Sequence, residues 1–178
     1  MTVTNVSQKK PDLILEQYFL GKTFASGIFE DRFGNVRRQF TVDIEGTWDG
    51  KTLTLTEDFI FGDGETETRV WSIEKIAPAS YVGTADDVIG SAKGIVSGNT
   101  LNWKYDMRLK VGGSKVKVHF DDWMFLQPNG VLINKATVSK LGLDIGRVTI
   151  AFTKKQDADF LSTISSTNKE PLAATSAR

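Results

Sequence analysis

Six short turn sequences punctuate this chain of 178 residues. Each pairs glycine with asparagine, aspartate or a second glycine: Gly34-Asn35, Asp49-Gly50, Asp63-Gly64, Gly98-Asn99, Gly112-Gly113 and Asn129-Gly130. Such dipeptides adopt the backbone torsion angles that tight β-hairpins need. Between them apolar and polar residues alternate, most clearly at Leu101, Trp103, Tyr105, Met107 and Leu109. This alternation is typical of strands with one buried face, so the pattern predicts consecutive antiparallel strands.

The spacing of the turns predicts an all-β fold, a single antiparallel up-and-down barrel of about ten strands. The predicted strands are 23–32, 36–46, 51–61, 66–76, 79–85, 91–97, 100–111, 114–126, 131–140 and 146–155. Short connections place sequence neighbours side by side, and closure removes exposed sheet edges. A short apolar helix over 11–20 is expected to close one end of the barrel. We therefore expect a flexible N-terminus at 1–10, a barrel domain at 11–155 and a flexible tail at 156–178.

Composition excludes several classes of function. Lysine and arginine balance aspartate and glutamate at 22 each, so no nucleic-acid-binding surface is indicated. The chain has no cysteine, and its single histidine, His119, is predicted to face outward, so no metal, haem or other cofactor is expected. No apolar run approaches the roughly 18 residues that cross a bilayer, which argues against an integral membrane segment. The polar N-terminus predicts a cytoplasmic protein, or a periplasmic or envelope-associated one if a leader has been removed.

Two-residue turns would fix the strand register and therefore the inward face of the barrel. In the first half the predicted partners are Trp48 with Lys51, Ile44 with Leu55, Val42 with Glu57, Phe29 with Phe40, and Asp31 with Arg38. In the second half they are Gly94 with Trp103, Ala92 with Tyr105, Leu109 with Val116, Tyr105 with Phe120, and Trp103 with Asp122. A four-residue turn at 127–130 would then place Asp122 opposite Lys135.

Charged residues accompany the apolar set on this predicted inward face: Arg38, Arg69, Lys135, Asp31, Glu57 and Asp122. Buried ions must be paired or solvated, so these residues either form a structural ion-pair network or line a wet cavity. In the second case Arg69 would anchor a carboxylate or phosphate, because its planar guanidinium suits bidentate contacts. Trp71, Trp103 and Tyr105 would supply an apolar wall beside it.

Small residues are also predicted on this face, and two explanations of them stay open. Gly83, Ala85, Ala92 and Gly94 either leave room for a ligand or accommodate the rings of Trp103 and Tyr105 in a filled core.

Four segments resemble a bacterial family catalogued as domain of unknown function 3833, which is similar to the lipocalin-like, or calycin, barrels. They are Arg69-Val70-Trp71, the run from Gly83 to Gly90, Asp121-Asp122-Trp123-Met124 and Asn134-Lys135. The resemblance extends from about Pro11 to Lys155 and implies a lipocalin-like barrel without an assigned activity. Many members look like lipoproteins with a leader and a lipid-attachment cysteine, so the present sequence is not expected to be anchored in that way. The occurrence of members near lipid-modifying enzymes implies a fatty-acyl or similarly apolar ligand.

Three hypotheses follow, and the sequence favours a binding protein over an enzyme. In the first, the barrel binds a small hydrophobic or amphipathic, fatty-acid-like molecule through Arg38, Arg69, Trp71, Trp103, Tyr105, Asp122 and Lys135. In the second, an isomerase or cyclase acts on a lipid, with Asp122 as general acid or base, tuned by Lys135 and Tyr105. In the third, the barrel is filled and the protein is structural or binds a partner, through an outer apolar patch formed by Trp48, Tyr81, Trp123 and Phe125. The sequence does not indicate the oligomeric state.

Overall fold

A computed structural model describes residues 2–6, 10–111 and 113–154 of the protein. Two short helices, α1 (Val3–Val6) and α2 (Leu15–Tyr18), precede ten strands. The strands are β1 (Gly21–Asp31), β2 (Val36–Trp48), β3 (Thr52–Phe61), β4 (Thr66–Ala77), β5 (Ser80–Thr84), β6 (Val88–Ser97), β7 (Thr100–Val111), β8 (Ser114–Leu126), β9 (Leu132–Lys140) and β10 (Leu143–Thr153). Each strand pairs antiparallel with its sequence neighbours, and β1 pairs with β10 to close the barrel. The predicted all-β up-and-down barrel of ten strands is confirmed.

The β7–β8 hairpin has the predicted register. Trp103 lies opposite Asp122 and Tyr105 lies opposite Phe120, while on the other side of β7 Gly94 lies opposite Trp103. The same face of β4 carries Arg69 and Trp71 into the barrel, as the alternation predicts. These hairpins therefore position most of the predicted site residues correctly.

The β2–β3 turn is longer than predicted. Ile44 lies opposite Glu57 rather than Leu55, because four residues separate the paired Trp48 and Leu53. The carboxylate of Asp49 explains this length, since its Oδ1 accepts hydrogen bonds from the backbone N–H groups of Lys51 and Thr52 at 2.8 and 2.7 Å. A shift of two residues leaves every side chain on its predicted face. The register was wrong, but the inward placement of Glu57 was right.

The β1–β2 hairpin contradicts the predicted pairing of Asp31 with Arg38. A bulge follows Phe29, so that Phe29 lies opposite Arg38. The Oδ1 atom of Asp31 accepts bonds from the backbone N–H groups of Phe33 and Asn35, and its other oxygen binds Arg37. Asp31 therefore closes the turn and does not line the interior.

The β8–β9 connection corrects the prediction for Lys135. Five residues, 127–131, separate Leu126 from its partner Leu132, and the backbone N–H of Gln127 donates to the carbonyl of Val131 at 2.8 Å. This one-residue difference places Asp122 opposite Ala136 and Trp123 opposite Lys135. Lys135 is exposed and faces outward, so its predicted place in the site was wrong.

Helix α2 closes one end of the barrel, as predicted, although its regular turn spans only Leu15–Tyr18. The residue before it, Ile14, has an extended backbone, so the helix begins later than the predicted residue 11. The backbone N–H of Leu13 donates to the carbonyl of Gly98 at 2.8 Å, and the Tyr18 hydroxyl donates to the carbonyl of Gly130 at 3.0 Å. These bonds attach the helical segment to the β6–β7 and β8–β9 turns.

The burial of two of its members contradicts the predicted outer apolar patch. Glu16 binds Lys75 and accepts a hydrogen bond from the Tyr81 hydroxyl at 2.8 Å. Tyr81 is only 2% exposed and Trp123 only 9%, so neither contributes to an exposed surface. Gly46 permits the close approach of the helix, because a Cβ there would lie 1.8 Å from the carbonyl oxygen of Phe19.

The predicted domain boundaries stay predictions. Helix α1 falls within the stretch expected to be flexible, and the predicted tail at 156–178 lies outside the described residues. Within the described ranges, no helix has the length and apolar character needed to cross a membrane.

Candidate ligand-binding cavity

The barrel interior contains a cavity of about 1270 Å³. Leu15 and Phe19 lie at its base beside α2, and its lining extends to the opposite end of the barrel. We call that opposite end, where the β1–β2, β3–β4, β5–β6, β7–β8 and β9–β10 turns lie, the mouth. Ligand sites commonly have volumes of roughly 300–1,000 Å³, so the space accommodates a small molecule. The filled interior of the third hypothesis is therefore wrong.

Phenylalanine rings line the β1–β3 side of the cavity near the mouth. The Phe40 and Phe59 centroids are 5.9 Å apart, and Phe59 stacks on Phe61 at 6.0 Å. Aliphatic side chains from β2, β3, β4 and β7 continue this apolar lining toward the base: Val42, Ile44, Leu55, Ile73 and Leu101. An apolar molecule would thus contact carbon atoms along most of the barrel axis.

An aromatic cluster forms the facing wall, and it contains the three predicted aromatic site residues. The Trp71 ring lies 5.8 Å from that of Trp103 and 5.4 Å from that of Tyr105, centroid to centroid. A Cβ on Gly83 would lie 2.6 Å from the Trp103 indole, and one on Gly94 would lie 2.2 Å from it. These two glycines therefore accommodate Trp103, as in one of the two explanations left open by the sequence, although the interior beside that ring is a cavity and not a filled core.

Arg69 lies in the lining among three carboxylates. Its Nε is 2.9 Å from Asp87 Oδ2, and its terminal nitrogens are 3.3 Å from Glu67 Oε1 and 3.8 Å from Glu57 Oε2. Burial raises the pKa of Glu57 to about 7, although the Arg69 charge acts in the opposite direction. An acidic ligand at Arg69 would compete with these carboxylates for the guanidinium.

Arg38 occupies the mouth rather than the interior. Its guanidinium lies over the Phe61 ring at 3.6 Å and binds Glu65 at 2.8 Å and Asp63 at 3.2 Å. It lines the cavity entrance but is too far toward solvent to be a buried anchor, since its side chain is 37% exposed.

A second polar group lies deeper, on β7, β8 and β9. The Tyr105 hydroxyl donates to Asp122 Oδ2 at 3.2 Å, and burial raises the pKa of Asp122 to about 7. Burial also raises the pKa of Tyr105 well above its ordinary value, so its hydroxyl stays protonated. Asn134, on the neighbouring strand, is 1% exposed and lines the same cavity. At neutral pH this group can both donate and accept hydrogen bonds.

Unpartnered polar atoms concentrate on this cavity. In the part of the chain that the structure describes, three buried side-chain atoms have no hydrogen-bond partner: Asp87 Oδ1, Asp122 Oδ1 and Asn134 Nδ2. All three residues line the cavity. Since leaving such an atom unpaired costs roughly 1–3 kcal/mol, the cavity surface offers positions that a polar ligand atom would satisfy.

Asn134 was missed as a site residue by the sequence reasoning, because the assumed β8–β9 turn pointed Lys135 inward in its place. A signal existed, since asparagine is disfavoured within strands unless something compensates for it. His119 faces outward as predicted, and its Nδ1 lies 2.8 Å from Asp106 Oδ1. Among the described residues, no group of three or more histidine, aspartate or glutamate side chains could hold a metal ion.

The closed ten-stranded barrel, with one end covered by a helix and a cavity inside, defines a calycin-like protein. The chain belongs to the family described as "Protein of unknown function (DUF3833)", whose sequence profile matches residues 1–154. Its fold is similar to the solved structure of the S-type phycobiliprotein lyase CPES from Guillardia theta, with a TM-score of 0.58 and 6% sequence identity. That similarity covers 80% of this chain and 91% of the lyase, and at this identity it shows the fold alone. No curated protein sequence matches the chain.

Proposed function

We propose that this protein binds a small amphipathic, fatty-acid-like molecule inside the barrel. The observation that carries the proposal is the coincidence of a cavity of about 1270 Å³ with three buried, unpartnered polar atoms on its wall. An apolar cavity would need only an apolar occupant, whereas these atoms call for polar atoms in the ligand. A molecule with a long apolar body and one polar group meets both requirements.

The ligand polar group is assigned to the inner position, beside Asp122 and Asn134. The amide nitrogen of Asn134 donates, and Asp122, with a pKa of about 7, can donate or accept near neutral pH. A hydroxyl or a protonated carboxyl group complements this pair. The apolar body would extend along the phenylalanines toward the mouth.

The alternative assignment places an acidic head at Arg69 and Arg38. It requires the ligand carboxylate to displace Asp87 or Glu67 from Arg69, or Glu57 to take up a proton. The crowding of Arg69 by carboxylates favours the inner assignment, and mutation separates the two.

Titration with a fluorescent fatty acid tests the proposal. Asn134→Ala should weaken binding by about tenfold, because one hydrogen bond between the buried amide and a polar ligand atom is lost. Lys135→Ala is the matched control, since it changes the adjacent, outward-facing residue and should leave affinity unchanged. An equal loss in both variants, or no binding by the parent protein, would contradict the proposal. A tenfold loss in Arg69→Ala with an unchanged Asn134→Ala would move the polar group to the mouth.

Native mass spectrometry of the purified protein, followed by denaturing extraction and lipid analysis, identifies the natural occupant. A bound acyl molecule at one copy per chain supports the proposal. An extract that contains only a polar metabolite without an apolar body argues against the fatty-acid-like class.

One observation favours a second candidate, a lipid isomerase or cyclase. Asp122 is a buried carboxyl whose pKa is raised to about 7, it contacts Tyr105, and it faces a cavity able to hold substrate. Such a group can transfer protons near neutral pH. Lys135 faces outward and has no part in it. Conversion of the extracted lipid by the parent protein but not by Asp122→Asn would support catalysis, whereas equal conversion by both would remove Asp122 from it.

A further inference from the structure

Apolar side chains are exposed at the tips of two adjacent hairpins at the mouth. Phe33, in the β1–β2 turn, is 80% exposed, and Leu141 and Leu143, around the β9–β10 turn, are 94% and 67% exposed. These hairpins are neighbours because β1 pairs with β10. Large apolar residues at such exposure contribute little to the stability of the barrel itself. Their grouping at one end therefore points to an external contact.

Leu141 is unfavourable in its own turn. Its φ is +51°, in the left-handed region that favours glycine or asparagine over a branched apolar residue. Since the side chain is almost fully exposed, packing does not compensate for this backbone conformation. Neither turn geometry nor burial in the isolated protein accounts for leucine at this position.

Basic residues surround the apolar tips. The ring order of the strands makes the β1–β2, β9–β10 and β7–β8 turns consecutive around the mouth. We call this sector the basic half of the mouth, and its exposed apolar and basic residues are Arg32, Phe33, Val36, Arg37, Arg108, Lys110, Lys115, Lys117, Lys140, Leu141, Leu143 and Arg147. Acids in the same sector are fewer: Glu30, Asp31, Asp106 and Asp144, of which Asp31 binds Arg37 and Asp106 binds Lys117. In the remaining turns acids outnumber bases, with Asp63, Glu65, Glu67, Asp86 and Asp87 against Arg38 and Arg69. The chain has no net charge, yet the two sectors of its mouth carry excess charge of opposite sign.

The β7–β8 hairpin places like charges opposite each other. Lys110 pairs with Lys115 across the strands, and Arg108 pairs with Lys117. Like charges in directly opposed positions destabilise a hairpin. Within the described ranges, Lys117 binds Asp106, while Arg108, Lys110 and Lys115 form no ion pair. These three cations are available to an external anionic surface.

We propose that the basic half of the mouth docks on a bilayer surface that contains anionic lipids. Phe33 and Leu141 enter the interfacial layer, and the lysines and arginines around them contact lipid phosphate groups. The acidic sector tilts away from the surface. Apolar tips flanked by basic residues match the chemistry of that interface. An acidic protein as the partner would contact the basic residues but would leave the apolar tips in water.

Docking has a consequence for the transfer of ligand between the bilayer and the barrel, and this consequence rests on the function proposed above. The docked sector borders the mouth of the cavity, so a lipid-derived ligand would pass between bilayer and barrel without crossing bulk water. Docking and ligand binding are separate properties and can fail separately.

Flotation of the full chain with vesicles tests docking. We expect binding to phosphatidylcholine vesicles that contain phosphatidylglycerol, weaker binding to phosphatidylcholine alone, and a decline as salt is raised. Leu141→Asn should weaken binding to the anionic vesicles about tenfold through lost apolar contact. It should not lower the melting temperature, because asparagine tolerates the left-handed backbone. The double variant Lys110→Gln and Lys115→Gln should lose more than about tenfold.

Ile76→Asn is the matched control, because Ile76 is 58% exposed at the end of the barrel that α2 closes. It should leave vesicle binding unchanged. Equal losses in Ile76→Asn and Leu141→Asn, or equal binding to both kinds of vesicle, would overturn the proposal. Binding to soluble polyglutamate but not to anionic vesicles would overturn it in favour of an acidic macromolecule.

Titration with a fluorescent fatty acid, without vesicles, separates the two proposals. Leu141→Asn should bind this probe as the parent protein does, since Leu141 does not line the cavity. Vesicle binding without probe binding would overturn the proposed ligand while docking stands. Probe binding without vesicle binding would overturn docking alone.

Discussion

Replacing Asp122 by asparagine should make the free energy of unfolding less dependent on pH. Asp122 is 6% exposed, and burial raises the pKa of its carboxyl from 3.8 to about 7. The folded protein therefore holds a proton on this carboxyl at pH values where the unfolded chain has released it. Asparagine keeps the size of the side chain and has an oxygen that can accept the hydrogen bond from the Tyr105 hydroxyl, but it cannot ionise.

The direction of the effect follows from proton linkage. A carboxyl whose folded pKa exceeds its unfolded pKa contributes full stability below the unfolded value and loses it as the pH rises through the folded value. Between about pH 5 and about pH 8, the difference between the folded and unfolded pKa of Asp122 corresponds to a loss of roughly 2–3 kcal/mol in the free energy of unfolding. Glu57, whose pKa burial also raises to about 7, adds a comparable loss that the variant retains. The free energy of unfolding of Asp122→Asn should therefore fall with pH about half as steeply as that of the parent protein.

Urea unfolding followed by tryptophan fluorescence at several pH values measures this difference. Asp58→Asn is the control, because Asp58 is exposed on the outer face of β3, where its Oδ1 accepts a hydrogen bond from the Thr68 hydroxyl at 2.6 Å. The control should run parallel to the parent protein, since it leaves Asp122 and its surroundings in the cavity unchanged. Parallel curves for Asp122→Asn and the parent protein would refute the reasoning, because they would mean that Asp122 is solvated.

Three further substitutions test the packing around the cavity. Gly94→Ala should destabilise the fold by roughly 1–3 kcal/mol in a urea titration, because its Cβ would overlap the Trp103 indole. Gly62→Ala is the control and should cost far less, because a Cβ there has no contact closer than 3.6 Å. Gly46→Ala should displace α2 and speed proteolysis near residue 20, and unchanged protection would argue against the observed close approach. Glu16→Gln should lower the free energy of unfolding by roughly 1 kcal/mol at neutral pH, because it removes the ion pair with Lys75. Burial of Glu16 acts to raise its pKa, but the hydrogen bond from Lys75 helps to hold that pKa below its ordinary value. That cost should disappear as the pH falls through the pKa of Glu16, and a cost that persists in acid would contradict the ion-pair explanation.

The strands and their closure were predictable because two local signals agree. Glycine-containing dipeptides mark the turns, and alternation marks the faces between them. The β7–β8 register followed directly, so Trp103, Tyr105 and Asp122 were placed correctly. The alternation on β4 likewise placed Arg69 and Trp71.

The errors arise where a turn is longer than its central dipeptide suggests. Asp31 and Asp49 accept backbone hydrogen bonds and so determine turn geometry through their side chains. A difference of two residues leaves faces unchanged, but the one-residue difference in the β8–β9 connection exchanges Lys135 for Asn134. Whether Gly94 creates space or accommodates Trp103 depends on the packing of distant strands, which local pattern does not contain.

The pairing of β1 with β10 has a consequence for how the chain is assembled. Every other pairing joins strands that follow one another, whereas this one joins Phe24 to Thr153 across almost the whole barrel sequence. During synthesis the earlier hairpins can form in order, but the cylinder cannot close until β10 has emerged. Until then the hydrogen-bonding edge of β1 is open to strands of other chains. A chain that terminates before β10 should therefore be lost chiefly to intermolecular sheet formation, even though most of its hairpins are intact.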